Sequence, residues 1–277
     1  MSAAERIGAW GRLLGSELRL VLGRRRNQAG LLVLAAIPVM ITIALRASGN
    51  PEAHGPDFFS SMTSNGFFVA LAALSVEITL FLPLAVAVLA GDAIAGEANL
   101  GTLRYLLTVP VPRARLLAVK YVAIVLGALV GVTLVALAGV VAGGIAFGLG
   151  PLTTLSGTEI GMGAAAVRLL GAVAYVTAGL AALGAIGLFL STLTEQPIVA
   201  MIATTAIATL MWIVDAIPQL AALHPWLLVH RWTAFGDLFR APVFTEQIAA
   251  GLWVALAYTV VFLGAAWAVF ARRDVTS

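Results

Sequence analysis

Few residues in this chain of 277 can do chemistry, and they are unevenly placed. In a sequence that is 61% hydrophobic and 10% charged, the stretch from Gly91 to Lys120 holds Asp92, Glu97, Arg104, Arg113, Arg115 and Lys120 together. Glu77 stands alone inside an apolar run, where a charged carboxylate costs a few kcal/mol and must be neutral, paired or turned toward a cavity. The histidines are His54, His224 and His230, and there are no cysteines, so disulfide and thiol chemistry are excluded. His224 and His230 are six residues apart, which is not the one-turn spacing of a helical metal-binding pair, so interfacial hydrogen bonding is their expected work and no metal site is expected. No H-E-x-x-H occurs, and no histidine lies in a long apolar run where it could activate a serine. A G-x-x-x-x-G-K-[ST] loop is also missing, and the sole lysine, Lys120, follows "LLAV", so the chain has no means of cradling a nucleotide. Catalytic residues and cofactors are therefore not expected in this chain.

The elements that carry these residues must sit mostly in lipid. A mean hydropathy of +1.03 excludes an ordinary water-soluble domain. A helix needs about 20 apolar residues to cross about 30 Å of hydrocarbon, and six runs meet or approach that length. They are Ala29 to Leu45, Gly66 to Ala90 with Glu77 inside it, Tyr121 to Gly148, Leu169 to Ser191, Ile198 to Val214 and Ile248 to Ala271. A barrel would show shorter, alternating segments, so the expected fold is an all-α integral membrane protein with six transmembrane helices. The first run is read as an anchor, not a signal peptide, because it is long and no small-residue cleavage site follows it.

Six crossings put both termini on one side. With the termini in the cytoplasm, Arg6, Arg12, Arg19, Arg24, Arg25, Arg26, Arg104, Arg113, Arg115, Lys120, Arg272 and Arg273 fall inside, against Arg46, Arg168, Arg231 and Arg240 outside. That bias predicts the orientation. It also accounts for the net charge of +3 as topology and lipid-headgroup anchoring, with no nucleic-acid partner implied.

Residues 3–22 place Ile7, Trp10, Leu14, Leu18 and Val21 near one helical face and Glu5, Arg12 and Arg19 on another, the pattern of an interfacial helix. Two polar stretches, Ala47 to Asn65 and Gly148 to Gly163, read as external loops. The segment 217–246 is too polar and proline-broken to cross and too rich in Leu, Trp and Phe for a solvated loop. Two short helices in or dipping into the outer interface are expected there, with Trp226, Trp232, Trp212 and Trp253 as an aromatic belt. Small residues four apart, as in Gly127/Gly131, Gly139/Gly143, Ala178/Ala182 and Gly187/Ser191, permit close helix packing. Asp92 and Glu195 are expected as solvated charges on the inner side.

The segment 92–108 winds in projection into an amphipathic helix, with Ala93, Gly96, Leu100, Leu103 and Leu107 on one side and Glu97, Arg104 and Thr108 along the border. The following "VPVPR" breaks it, and Arg113, Arg115 and Lys120 anchor the next span. The ordered set Glu97, Gly101, Thr102, Leu103, Leu106, Leu107, Pro110, Arg113 and Lys120, lying between the second and third spans, resembles the cytoplasmic signature of type-2 ATP-binding-cassette (ABC-2) permeases. The interfacial helix and the helical pair before the last span extend the resemblance over nearly the whole chain.

That resemblance implies a coupling helix at 92–108 that docks in a cleft of a cytoplasmic ATPase subunit. Glu97 and Arg104 would make polar contacts, Leu100, Leu103 and Leu107 would pack, and Gly101 would allow close approach. It implies two ATPase subunits carrying ATP and Mg, a second copy of this permease as a homodimer, membrane lipid as surroundings, and residence in the bacterial cytoplasmic membrane. The implied activity is export of an amphipathic or hydrophobic compound, with Glu77 a candidate for the substrate pathway. Two other readings stand beside it: an ion-driven secondary transporter, for which Glu77 is the single intramembrane ionisable residue, and an ABC-type permease that signals or matures an extracytoplasmic protein.

Overall fold

The computed structural model describes residues 3–47, 65–101 and 112–272. Helix α1, Ala3–Gly23, stops one residue short of α2, Arg25–Ala47. Its last carbonyls, orphaned as at any helix end, accept from the side chains of Asn27 (to Val21, 2.7 Å) and Gln28 (to Leu22, 3.1 Å). The expected loop after the first crossing, including His54, lies outside the described residues.

The second apolar run is two helices, α3 (Gly66–Glu77) and α4 (Phe81–Asn99), parted by a turn at 78–80. Pro83 supplies the reason. It has no N–H to give to the carbonyl four residues back and its ring crowds that carbonyl, so it is best accommodated in the first turn of a helix. The chain therefore restarts just ahead of it. Asn65 caps α3, its side-chain oxygen accepting from the Phe67 N–H at 3.0 Å and its amide donating to the carbonyls of Gly150 (3.0 Å) and Pro151 (3.1 Å).

Helix α5, Arg113–Phe147, packs along α3 at backbone distance. A Cβ placed on Gly139 would lie 2.5 Å from the Ala70 Cα, and one on Gly143 would lie 2.7 Å from the Gly66 Cα. The small-residue spacing is used inside the chain. A short hairpin of β1 (Leu152–Thr153) and β2 (Glu159–Ile160) then leads to α6, Met162–Leu193, the most buried of the crossing helices. Helices α7, Pro197–Asp215, and α8, Glu246–Arg272, complete six candidate crossings among the described residues: α2, α4, α5, α6, α7 and α8, with α3 a shorter apolar helix ahead of α4. The six crossings and near absence of strand make this an all-α integral membrane protein.

α2, α7 and α8 keep large apolar side chains on the outside, among them Leu32, Met40, Ile202, Leu210, Val260 and Val261. In water such surface would be a liability; against acyl chains it is the expected solvent face.

Between α7 and α8 the two expected short helices are instead three 3-10 helices, Pro218–Leu220, His224–Trp226 and Leu228–Phe239. Prolines at 218 and 225 open the first two, and the last is held by the burial of Leu228, Val229, Trp232, Phe235 and Phe239. The aromatic belt is correspondingly smaller than expected. Trp226 and Trp253 are exposed, whereas Trp232 is buried edge-on to Trp212 with ring centroids 6.2 Å apart. The hairpin is tied to this cap: the Leu155 N–H donates to the Phe239 carbonyl at 2.9 Å, and the Ala241 N–H to Ser156 Oγ at 3.0 Å.

Candidate functional site

At the end of the bundle that carries the termini, three helices meet around one ammonium group. Lys120, on the second turn of α5, is 4% exposed. Its Nζ pairs with Glu17 Oε1 of α1 at 2.8 Å and with Glu97 Oε1 of α4. Both carboxylates are themselves mostly covered. Lys120 was expected at the headgroup surface. Packing of α1 over the start of α5 covers it instead, and the burial is tolerable because two opposite charges converge on it. Glu17, which completes the set, projects beside Trp10 and Val21 at the border of the apolar face of α1, and the sequence alone does not single it out.

A second ionic tie lies beside the first. Asp92 of α4 pairs with Arg24, at the junction of α1 and α2, and with Arg26 Nη2 at 3.1 Å. It is not the solvated charge expected of it, because the α1–α2 junction folds against α4. A Cβ on Gly96 would lie 2.6 Å from Asp92 Oδ1, so glycine one turn on leaves room for that carboxylate. Arg113, at the first turn of α5, donates to the carbonyls of Phe270 (3.2 Å) and Ala271 (2.7 Å), capping the end of α8.

Deeper in the same end, Ser191 of α6 enters the hydrogen-bond ladder of α4. Its hydroxyl donates to the Gly91 carbonyl at 2.8 Å and accepts from the N–H groups of Ile94 (3.1 Å) and Ala95 (2.9 Å). A Cβ on Gly91 would strike Met201 and Pro197 at the start of α7. Thus α4 is fastened ionically to Arg24 at the α1–α2 junction, to α2 and to α5, and by the Ser191 hydroxyl to α6.

The end of α4 lies beside this anchorage. The segment 92–108 is not one helix: 92–99 are the last two turns of the crossing helix α4, which ends at Asn99. Gly101 adopts φ +68, a conformation open to glycine at low cost, and its N–H donates to the Ala98 carbonyl at 3.0 Å, a left-handed stop to the helix. The amphipathic projection missed this because it assumed helical φ at a glycine. Leu100 is 68% exposed beside it. Of the six residues expected to dock, Glu97, Leu100 and Gly101 are thus placed at this end; Leu103, Arg104 and Leu107 lie outside the described residues.

Glu77 closes α3 at the break, 0% exposed. Neither of its carboxylate oxygens has a hydrogen-bond partner among the described residues. Ser75, Val76, Thr79 and Leu80 around it are exposed while Glu77 and Ile78 turn inward. Arg168 is spent on the carbonyl of Arg240 and Asp215 on His230, so neither meets Glu77.

Two apolar cavities flank this framework. One of about 330 Å³ lies between α1, α2, α4 and α5, with Arg26 and Asn27 as its polar end and Leu31, Leu34, Phe81, Leu82, Val86 and Leu89 among its walls. The other, about 290 Å³, lies between α3, the hairpin and the third 3-10 helix, lined by Phe68, Leu71, Ser75, Leu152, Phe235 and Phe239. Each could take an acyl chain or a comparable apolar group, and the first adds a cation at its mouth.

Comparison with known families gives a match to the model described as "ABC-2 family transporter protein", over residues 23–210. That range holds α2 to α7 nearly entire, including the ionic anchorage of α4, the break at Glu77 and both Gly91 and Ser191. No match is found among curated proteins.

Proposed function

As this chain belongs to the ABC-2 family of transporters, we propose that it is the membrane-spanning half of an ATP-driven exporter, working with two ATPase subunits and a second copy of itself. Hydrolysis of ATP with Mg belongs to the partner, since this chain has no phosphate-cradling loop of its own. Both termini face the cytoplasm of a bacterial cell, following the basic bias of that end. The cargo is an amphipathic or hydrophobic compound, a class that suits the apolar cavity closed at one end by Arg26.

One observation carries the reading: the segment following α4 leaves from the most firmly fixed point of the terminal end. Glu97 is held by Lys120, so its part in docking is to fix the exit point of the segment, with the touching done by Leu100 and the residues after it. An ATPase gripping that segment would pull on α4 directly, and through Ser191 and Gly91 on α6 and α7. Exposed apolar surface on α2, α7 and α8 offers room for a second copy as well as lipid.

The test is to extract the tagged chain from its own membrane in mild detergent and identify what accompanies it. A nucleotide-binding ATPase should co-purify in stoichiometric amount and hydrolyse ATP in the complex. Leu100→Asp and Leu103→Asp should each lower its yield at least about tenfold without altering membrane insertion, because a single charge desolvated at a docking face costs over ~1.4 kcal/mol. Unchanged yield in both variants would defeat the assignment of the docking segment. Family membership speaks against the ion-driven alternative, although the break at Glu77 is the kind of feature it would call for. The signalling or maturation alternative is separated by flux: a complex that hydrolyses ATP yet moves no amphipathic compound would favour it.

A further inference from the structure

At the opposite end of the bundle, residues far apart in the sequence converge. Asp215 is the last residue of α7, His224 opens the second 3-10 helix and His230 lies in the third. One ligand atom from each falls within 4.8 Å of the others. Asp215 Oδ1 is 2.6 Å from His230 Nδ1, and the two imidazole rings lie 5.5 Å apart, tilted by 38°. His224 Nε2 rests 3.2 and 3.1 Å from the carbonyls of Val214 and Ile217, at the tip of the same helix. All three side chains are partly buried, so they are held in place yet reachable from water.

An aspartate paired with one histidine is an ordinary hydrogen bond. A second imidazole brought against that pair is a different matter, because two imidazoles and a carboxylate form the donor set of borderline-soft divalent cations. Calcium and magnesium prefer all-oxygen shells, and thiolate-seeking ions find no cysteine here. The six-residue interval that argued against a helical metal pair does not apply, since the two histidines lie in different 3-10 helices parted by an extended residue, Leu227.

We propose that Asp215, His224 and His230 bind one zinc-class divalent cation, fastening the end of α7 to the second and third 3-10 helices. Three protein ligands leave a fourth position of a tetrahedral shell for water. To join the shell, His224 would exchange its contacts with the two carbonyls for the metal, and Asp215 and His230 would exchange the hydrogen bond between them for it. The site stands apart from the docking segment, at the other end of the chain's crossings, and does not depend on the transport reading.

The test uses the full-length chain in detergent, purified without a polyhistidine tag, stripped with chelator and titrated with Zn²⁺ alone in competition with a chromophoric chelator. One zinc per chain is expected. His224→Gln and His230→Gln should each weaken binding by at least about tenfold, the scale on which even outer-shell losses are felt. Asp237→Asn is the control. That carboxylate lies in the same cap but pairs with Arg240 at 2.8 Å, and its loss should leave zinc binding unchanged. X-ray absorption on the loaded wild type should show imidazole scatterers in the first shell, a readout that needs no variant to fold. Uptake absent from the wild type, equal in all variants, or lacking imidazole scattering would mean adventitious binding only and overturn the site.

Discussion

Lys120 shows how much one residue can hold. Its ammonium is covered, and it pairs with two carboxylates from two other helices. Breaking a buried ion pair from one side costs about 3–5 kcal/mol because the opposite charge is left uncompensated. Lys120→Met should therefore lower the unfolding temperature of the detergent-solubilised chain, and adding Glu97→Gln to it should restore part of the loss. If the double variant is no more stable than the single one, the pairing with Glu97 contributes little. The sequence pointed to Glu97 and Lys120 through their order along the chain, but their pairing was not legible. They stand 23 positions apart along the chain, and only the fold decides which carboxylate a lysine meets. Glu17 was invisible for the same reason, as was the convergence of Asp215 with His224 and His230.

For whole elements, legibility followed the apolar run. All six crossings were readable because a helix in lipid must be long and nearly free of charge, and the helices overran the runs at their ends, as α5 does by starting at Arg113. What the run concealed was the interruption at 78–80. Both halves are apolar, and Pro83 alone is an ambiguous sign, since Pro38 sits inside α2 without ending it. The close approach of α3 to α5 is likewise hidden in composition, where glycines abound, and visible only where backbones meet. It gives a sharp expectation. Gly139→Leu should cost at least about 1–3 kcal/mol and lower the yield of folded protein, because the atoms it would strike are Ala70 backbone atoms that cannot turn aside. Gly127→Ala is the mild comparison, meeting the flexible end of Leu89. Equal behaviour of the two in thermal unfolding would show that α3 can move away from α5 at little cost.

At the scale of the molecule, one end is tied by ion pairs between helices and the other mainly by apolar packing and hydrogen bonds to main chain, and between them Glu77 sits buried with no hydrogen-bond partner among the described residues. A group so placed gives little to stability. Glu77→Gln, nearly the same shape, should leave insertion and thermal unfolding unchanged or improved. Transport by the assembled complex should fall if the carboxylate meets the cargo; unchanged transport with an intact complex would reduce Glu77 to a packing residue.

The break beside it has a mechanical meaning. The 19 residues of α4 make a rod of about 28 Å at ~1.5 Å per residue, with a joint at 78–80 and, toward its far end, the ties of Asp92 and Glu97 to neighbouring helices that would move with it. For a lever of that length, a push of about 5 Å at Asn99 becomes about 10° of rotation at the joint. Glu77, at the fulcrum, is turned and hardly carried. Exposed Leu100 and buried Glu77 thus sit at opposite ends of one lever arm, so that under the proposed docking a coarse stroke by the ATPase would arrive at Glu77 as a small change of angle.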